Sequence, residues 1–326
     1  MNELYPLKFK PIFKDKIWGG EKVKTLYGLD FAPLSNCGEV WSLSGYPDNI
    51  SVVQNGFLAG NDLDELLEIY MGDLVGEKVF EKYGEVFPLL IKIIDSNDWL
   101  SIQVHPGDEL AQKRHNSNGK TEMWYVLDAE KNAELISGFS KKVTKDEYLK
   151  HLQDKSLKDI LNFEKVESGD VFFMPAGRVH ALGPGLVIAE IQQTSDLTYR
   201  IYDFDRVDDK GNSRELHNDL ALDAIDFNLY PDYKTNYLHK QNQTVSLVKS
   251  PYFITNFLEF DKPVAKDYTP LDSFVIYLCT SGSCDVITEG HKEHLAMGET
   301  MLIPATSGEI ELIPSPSAKL LEVYIP

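Results

Sequence analysis

The sequence predicts a mainly β chain built as two small antiparallel barrels, with a few helices added to the N-terminal one, and three observations carry this expectation. Short apolar runs bounded by Gly, Pro, Asn and Asp follow one another closely: "EVWSLSG", "FPLLIKIID", "WLSIQVH", "TEMWYVLD", "AELISGF", "DVFFMPAG", "LVIAEIQQ" and "LTYRIYDF". Alternation at this spacing argues for an antiparallel barrel or sandwich rather than a parallel α/β sheet. Helical periodicity is confined to a few interruptions. Finally, "SGDVFFMPAGRVHAL" (Ser168–Leu182) and "MGETMLIPATSGEI" (Met297–Ile310) share the frame Gly, acid, four residues, Pro, Ala. Two copies of one hairpin element imply two barrels of one type.

The first helical stretch, Asp62–Gly84, carries leucines at helical intervals after a cap at Asn61 or Asp62. The second opens at Thr144 with Glu147 in capping-box spacing, where each side chain satisfies the other's free backbone N–H. The third is "SRELHNDLALDAIDF". After "NLYPDYKTNYLHKQNQ" the composition turns polar, and a second all-β stretch runs from about Val245 to Pro326. The expected domains are residues 1–235, which hold the helices, and a smaller barrel of residues 236–326.

At 326 residues the chain exceeds one ordinary core. Its 43% hydrophobic and 25% charged content is that of a globular protein. No apolar stretch approaches the roughly 20 residues of a membrane span. "MNELYPLKFKPIFKDK" has no signal core or cleavage site, so a cytoplasmic protein is expected. Cys37, Cys279 and Cys284 form no CxxC pair or disulfide framework, which agrees with a reducing compartment. The 51 acidic against 32 basic residues give a formal charge of −19, a field that repels nucleic acid and anionic membranes. An anionic small molecule would need Lys and Arg gathered locally against that field.

The second hairpin copy serves as an internal control. Only the first copy has Gly177 two residues past its proline and His180 three further on; the second has Thr306 and Glu309 there. The histidine is therefore an addition to what the hairpin needs. A separate stretch, "QVHPGD" (Gln103–Asp108), sets an amide and an imidazole two residues apart at the end of a buried strand, so both point to one side. The string Gly169-x5-Pro175-x-Gly177-x2-His180 resembles the second sequence motif of the cupin β-barrel. Gln103, His105 and Glu122 fall where its first motif carries two histidines and a carboxylate. The resemblance implies two jelly-roll barrels, the first holding a metal through Gln103, His105, Glu122 and His180, the second (236–326) lacking metal ligands. Such a set suits zinc, one ion per chain, with water completing an open site; another divalent metal also fits.

Beyond these motifs, "LSIQVHPGD", "GKTEMWY", "PAGRVHALGPG" and "EIQQTSDLTYRIYDF" together resemble the zinc-dependent type I mannose-6-phosphate isomerases. "WGG" at Trp18–Gly20 and "GEVW" at Gly38–Trp41 are similar to that family's N-terminal signatures. The length resembles its compact bacterial branch. The resemblance implies interconversion of D-mannose 6-phosphate and D-fructose 6-phosphate by proton transfer through a cis-enediol. Negative charge then develops on the enediolate oxygens, where a Lewis-acid metal and an adjacent cation stabilise it. Lys120 precedes Glu122 by two residues and shares its face, and Arg200 stands where the family has its catalytic arginine. Asp196, Glu190 and Lys120 are the candidate proton carriers. Ser101, Lys92, Lys120 and Arg200 are the candidate substrate contacts. The expected partner is a small sugar phosphate alone, with the chain a monomer or homodimer.

Two other readings stay open at this level. His105, Glu122 and His180 also make the two-His-one-carboxylate set of a non-haem iron cupin oxygenase. That reading wants an apolar, oxygen-accessible pocket, which Lys120 and Arg200 argue against. A non-catalytic sugar-phosphate-binding cupin would use the same barrel without turnover. "LGPG" at Leu182–Gly185 reads as a turn and not as a phosphate-cradling nucleotide loop.

Overall fold

The structure, a computed structural model, describes residues 3–207 and 210–326. It is mainly β, with antiparallel sheets and short helices between their strands. No helix among the described residues is long and apolar enough to cross a membrane. The chain divides into two compact units. One holds residues 13–40 and 92–235; the other holds the N-terminal segment to Ile12, Trp41–Ile91 and Asn236–Pro326. The sequence reading keeps residues 41–91 with the first barrel, whereas they cluster with the C-terminal strands. Periodicity reports that a helix has an apolar face, and it is silent on which sheet covers that face.

Asp62 caps Leu63–Val75 and Thr144 caps Lys145–Gln153, each with the reciprocal glutamate of a capping box. The stretch Asp62–Gly84 is broken into Leu63–Val75 and Glu77–Tyr83. Gly76 lies between them at φ +96°, and an added Cβ would meet the Asp272 carbonyl at 2.5 Å. Lys22–Tyr27 and Asp108–His115 are also helical and carry no readable apolar stripe. Of Asp108–His115 only Ala111 is buried.

In the unit holding Lys92–Thr235, one sheet has the neighbour order Val171–Met174, Glu122–Ala129, Leu186–Gln193. A second sheet runs Tyr199–Tyr202, Ile102–Val104, His180–Leu182, Glu134–Phe139, Leu161–Lys165. Trp124, Val126, Ile188 and Phe172 of the first share a core with Leu135 and Leu182 of the second. The second sheet's other face carries Ile102, Val104, Ala181, Tyr199 and Ile201, which cluster with Tyr148 and Ala221 of the helices Lys145–Gln153 and Asn218–Ala224. Strand alternation then aims Gln103, His180 and Arg200 the opposite way, into the barrel.

The C-terminal strands repeat the first sheet's order as Thr300–Ile303, Val275–Thr288, Glu309–Tyr324. Met174 stands opposite Glu122, and Glu190 opposite Trp124. In the repeat Ile303 stands opposite Val275, and Glu322 opposite Tyr277. Glu190 therefore has an equivalent in Glu322, while Glu122 corresponds to Val275 and His180 to the exposed Glu309. Glu322 is buried, accepts from Asn256 Nδ2 at 3.0 Å and from the Tyr268 hydroxyl, and pairs with Lys266. Tyr268 and Tyr277 hydroxyls bond to one another. Deleting the carboxylate would leave the Lys266 ammonium without its ion-pair partner, with only Thr244 Oγ1 at 2.6 Å, and would break the acceptor end of the Tyr277–Tyr268 chain. Glu322→Ala is expected to cost about 3–5 kcal/mol, the range for breaking a buried pair. Denaturant unfolding reads this as a lowered midpoint; an unchanged midpoint would remove the network from the fold's supports.

Candidate active site

Register builds the site. His180 stands opposite Gln103, and Gln103 opposite Arg200, so three inward side chains lie side by side across three strands. His105 follows directly after Ile102–Val104 and is fixed by backbone: its Nδ1 donates to the Leu197 carbonyl at 2.7 Å. Its own carbonyl accepts from Gly177 N at 2.9 Å. Gly177 makes this hook at φ +89°, where a Cβ would press the Ala224 carbonyl at 2.9 Å. That is the physical requirement behind the glycine of the motif. His180 Nδ1 donates to the Arg178 carbonyl at 2.8 Å. With both Nδ1 atoms committed as donors, each Nε2 carries a lone pair.

Those lone pairs converge with Glu122. Ligating atoms of His105, Glu122 and His180 all lie within 4.8 Å of one another, and all three residues are buried. His105 Nε2 is 3.5 Å from Glu122 Oε2, and His180 Nε2 is 3.3 Å from Oε1. Burial keeps both imidazoles neutral, holding His105 well below its ordinary value and His180 down at about 4. Burial, then the charge of Glu190, pushes the Glu122 carboxyl up to about 7, against the pull of Lys120. His105 Nε2 and both Glu122 oxygens are buried without a hydrogen-bond partner among the described residues. Lys120 Nζ, 2.9 Å from Oε2, is an ion-pair contact. Buried donors left open in this way are costly unless something occupies the point they face. The donor set fits a divalent metal ion.

Gln103 completes the wall, with Nε2 3.3 Å from His180 Nε2 and Oε1 accepting from Ser101 Oγ at 3.3 Å. Beside it opens a cavity of ≈ 260 Å³, lined among others by Lys92, Lys120, Glu190, Asp196 and Arg200. Trp124 Nε1 donates to Glu190 Oε2 at 2.8 Å, and Lys92 Nζ lies 3.3 Å from Oε1. Burial disfavours the Glu190 carboxylate, yet Lys120 and Lys92 outweigh it and hold the group below its usual range. Lys120 is likewise held charged: burial works against it, and Glu122 and Glu190 prevail. Burial, then Arg214, pulls the Arg200 guanidinium below the ordinary arginine value. Its Nη1 donates to the Glu215 carbonyl at 2.8 Å, while Nε is buried without a partner among the described residues.

All the sequence-derived candidates thus meet in one place. Gln103, Lys120, His180, Glu190, Asp196, Arg200, Ser101 and Lys92 line the cavity, and His105 and Glu122 join His180. Lys92 and Lys120, candidates for the phosphate, are each paired with a carboxylate. Sequence reasoning passed over Lys16, Glu39 and Arg214, which also line it. Lys16 flanks "WGG" and Glu39 sits within "GEVW", which could have flagged them; Arg214 falls in the stretch expected to be helical, but the helix is confined to Asn218–Ala224 and Arg214 lies in the loop before it.

A jelly-roll interior with two imidazoles and a carboxylate aimed at one point defines a metal-dependent cupin. The comparisons narrow the class: the chain belongs to the type I mannose-6-phosphate isomerase family. Residues 6–144 match the type I phosphomannose isomerase catalytic domain. The chain is 37% identical over 320 residues to the mannose-6-phosphate isomerase of Streptococcus mutans, covering 96% of this chain and 98% of that protein. It is 36% identical over 315 residues to the mannose-6-phosphate isomerase ManA of Bacillus subtilis, covering 94% and 95%. The crystal structure of the Bacillus subtilis mannose 6-phosphate isomerase superposes with a TM-score of 0.88 at 31% identity, covering 98% of this chain and 99% of that one.

Proposed function

We propose that this chain interconverts D-mannose 6-phosphate and D-fructose 6-phosphate in the cytoplasm, using one zinc ion per chain. The observation that carries the reading is the open donor set of His105, Glu122 and His180 on the wall of a cavity lined by Lys120, Glu190 and Arg200. An oxygenase needs no cations beside the metal donors, and a mere sugar-phosphate sensor needs no buried, anchored carboxylate there. His105, Glu122 and His180 would hold the ion, with Gln103 Oε1 as fourth donor after its amide turns over. Once bound, the ion supplies Lewis-acid stabilisation of charge on the substrate oxygens.

The remaining steps belong to side chains. Glu190 Oε2 is anchored by Trp124, and Oε1 has no hydrogen-bond partner among the described residues. An anionic carboxylate, anchored at one oxygen and held at the other only by ion-pair contacts with Lys92 and Lys120, is suited to take a proton from one carbon and return it to the next. Lys120 and Arg200 present fixed positive charge to the enediolate. Asp196, on the same wall, is the group to carry the proton between the substrate oxygens. Ser101 orients Gln103.

Metal content by mass spectrometry, then a coupled assay with mannose 6-phosphate, tests this. About one tightly held metal per chain is expected, none of it in residues 236–326. Chelation should abolish turnover and zinc should restore it. Turnover that survives complete chelation removes the metal from the mechanism. A zinc-loaded chain inert toward mannose 6-phosphate removes the isomerase reading.

A further inference from the structure

The cavity lining holds five cations, Lys16, Lys92, Lys120, Arg200 and Arg214, against three carboxylates, Glu39, Glu190 and Asp196. On a chain of formal charge −19 this is a local reversal of sign. The cations differ in depth and commitment. Lys92 and Lys120 have side chains only 3% and 5% exposed and are paired with Glu190 and Glu122. Lys16, at 34%, is paired with Glu39 at 3.3 Å. Arg214, at 31%, also sits at the wetter end, but its partner is shared.

That partner is Asp203, which is buried. Arg214 Nε donates to Asp203 Oδ2 at 2.7 Å, and Nη2 bonds to Oδ1. Arg206 Nη2 donates to the same Oδ1 at 2.6 Å. Asp203 is thus shared between two guanidinium groups, the second of which also pairs with Asp98 (Arg206 Nη1 to Oδ2, 3.3 Å). The shared carboxylate locks one edge of the Arg214 fork, so the charge is held without further loss of side-chain freedom. No hydrogen bond among the described residues engages its Nη1.

We propose that Arg214, held by Asp203, grips the phosphate dianion of the substrate and sets the preference for phosphorylated over free sugar. The proposal rests on the isomerase reading for its substrate. The chemistry divides by depth: proton transfer at C1 and C2 needs the dry floor, where Glu122, Lys120 and Glu190 lie. A dianion is expensive to desolvate and belongs at the half-exposed end, against a preorganised cation.

Steady-state kinetics of Arg214→Gln and Arg214→Lys with mannose 6-phosphate test this, with inorganic phosphate as competitive inhibitor. Losing a charge-assisted contact made equally in ground and transition states should raise KM by about 10- to 100-fold for Arg214→Gln. The Ki for phosphate should rise in parallel, and kcat should change by less than about threefold. Lysine should fall between. Any residual turnover of unphosphorylated mannose should not change, a result general loosening of the site would not give. KM and Ki within about twofold of the parent, or a loss confined to kcat, overturn the proposal. If Arg214→Gln folds poorly, Arg214→Lys and its phosphate Ki decide alone. If the parent does not isomerise mannose 6-phosphate, the isomerase reading fails by itself. Calorimetric titration of inorganic phosphate into parent and Arg214→Lys then still reads the anion site, and equal affinity overturns it.

Discussion

His180→Ala is expected to remove bound metal and activity together while leaving the β-rich fold in place. The imidazole offers one neutral lone pair, and its loss leaves His105 and Glu122 to hold the ion with Gln103 alone. Metal content should fall from about one per chain to below about a tenth, because the neutral amide of Gln103 is a weak donor and only two of the three imidazole or carboxylate ligands remain. Lewis-acid stabilisation supplies several kcal/mol to a transition state of this kind, so turnover should drop by roughly three decades or more. His180 is a cleaner choice than Glu122, whose removal would leave the buried Lys120 with only its 3.8 Å contact to Glu190. The fold should persist because the second barrel builds the same hairpin with Glu309 at this position. Circular dichroism checks the fold and mass spectrometry the metal. Full zinc occupancy in His180→Ala would show that the ligand assignment is wrong.

That His180 could be singled out from sequence depended on the internal repeat, since a lone histidine on an apolar strand usually satisfies itself with a core hydrogen bond. Glu122 is singled out by the cupin resemblance, and strand alternation then sets Gln103 on the face of His105 and Lys120 on the face of Glu122. What escaped has a common physical cause. Both histidines are oriented by backbone carbonyls, of Leu197 and Arg178, and a carbonyl has no sequence signature. Arg214 reaches the cavity from a loop, whose path no periodicity encodes. The interleaving of the two units was hidden because Trp41–Ile91 has ordinary strands and helices that either barrel could have covered. The kinship of Glu190 and Glu322 comes from strand register, although it leaves a trace in the sequence. "IAEI" at 188–191 and "LLEV" at 320–323 each set an acid between apolar residues of a buried strand. Such an acid needs a partner inside, and the two barrels answer with different ones: Trp124, Lys92 and Lys120 in the first, and Asn256, Tyr268 and Lys266 in the second.

Arg200→Ala is expected to lower kcat by roughly two to four decades, the range for losing one preorganised donor to developing charge. The side chain is placed for that role. It stands opposite Gln103, points into the barrel and keeps a buried Nε without a partner among the described residues, while Nη1 is tied to the Glu215 carbonyl. A donor fixed before reaction begins costs no reorganisation when the enediolate forms, so its contribution is larger in the transition state than in the bound sugar. Metal content should not change, because a guanidinium has no lone pair to coordinate with. Arg200→Lys should recover only part of the rate, since a point charge cannot keep the Glu215 contact and still present the planar fork. The comparison with Arg214 sharpens the reading. Loss at the phosphate end should appear in KM, and loss at the reacting end in kcat, because only the second interaction strengthens as the barrier is climbed. Steady-state kinetics of Arg200→Ala separate the two, and a pure KM effect would move Arg200 from the reacting end of the cavity to the phosphate end.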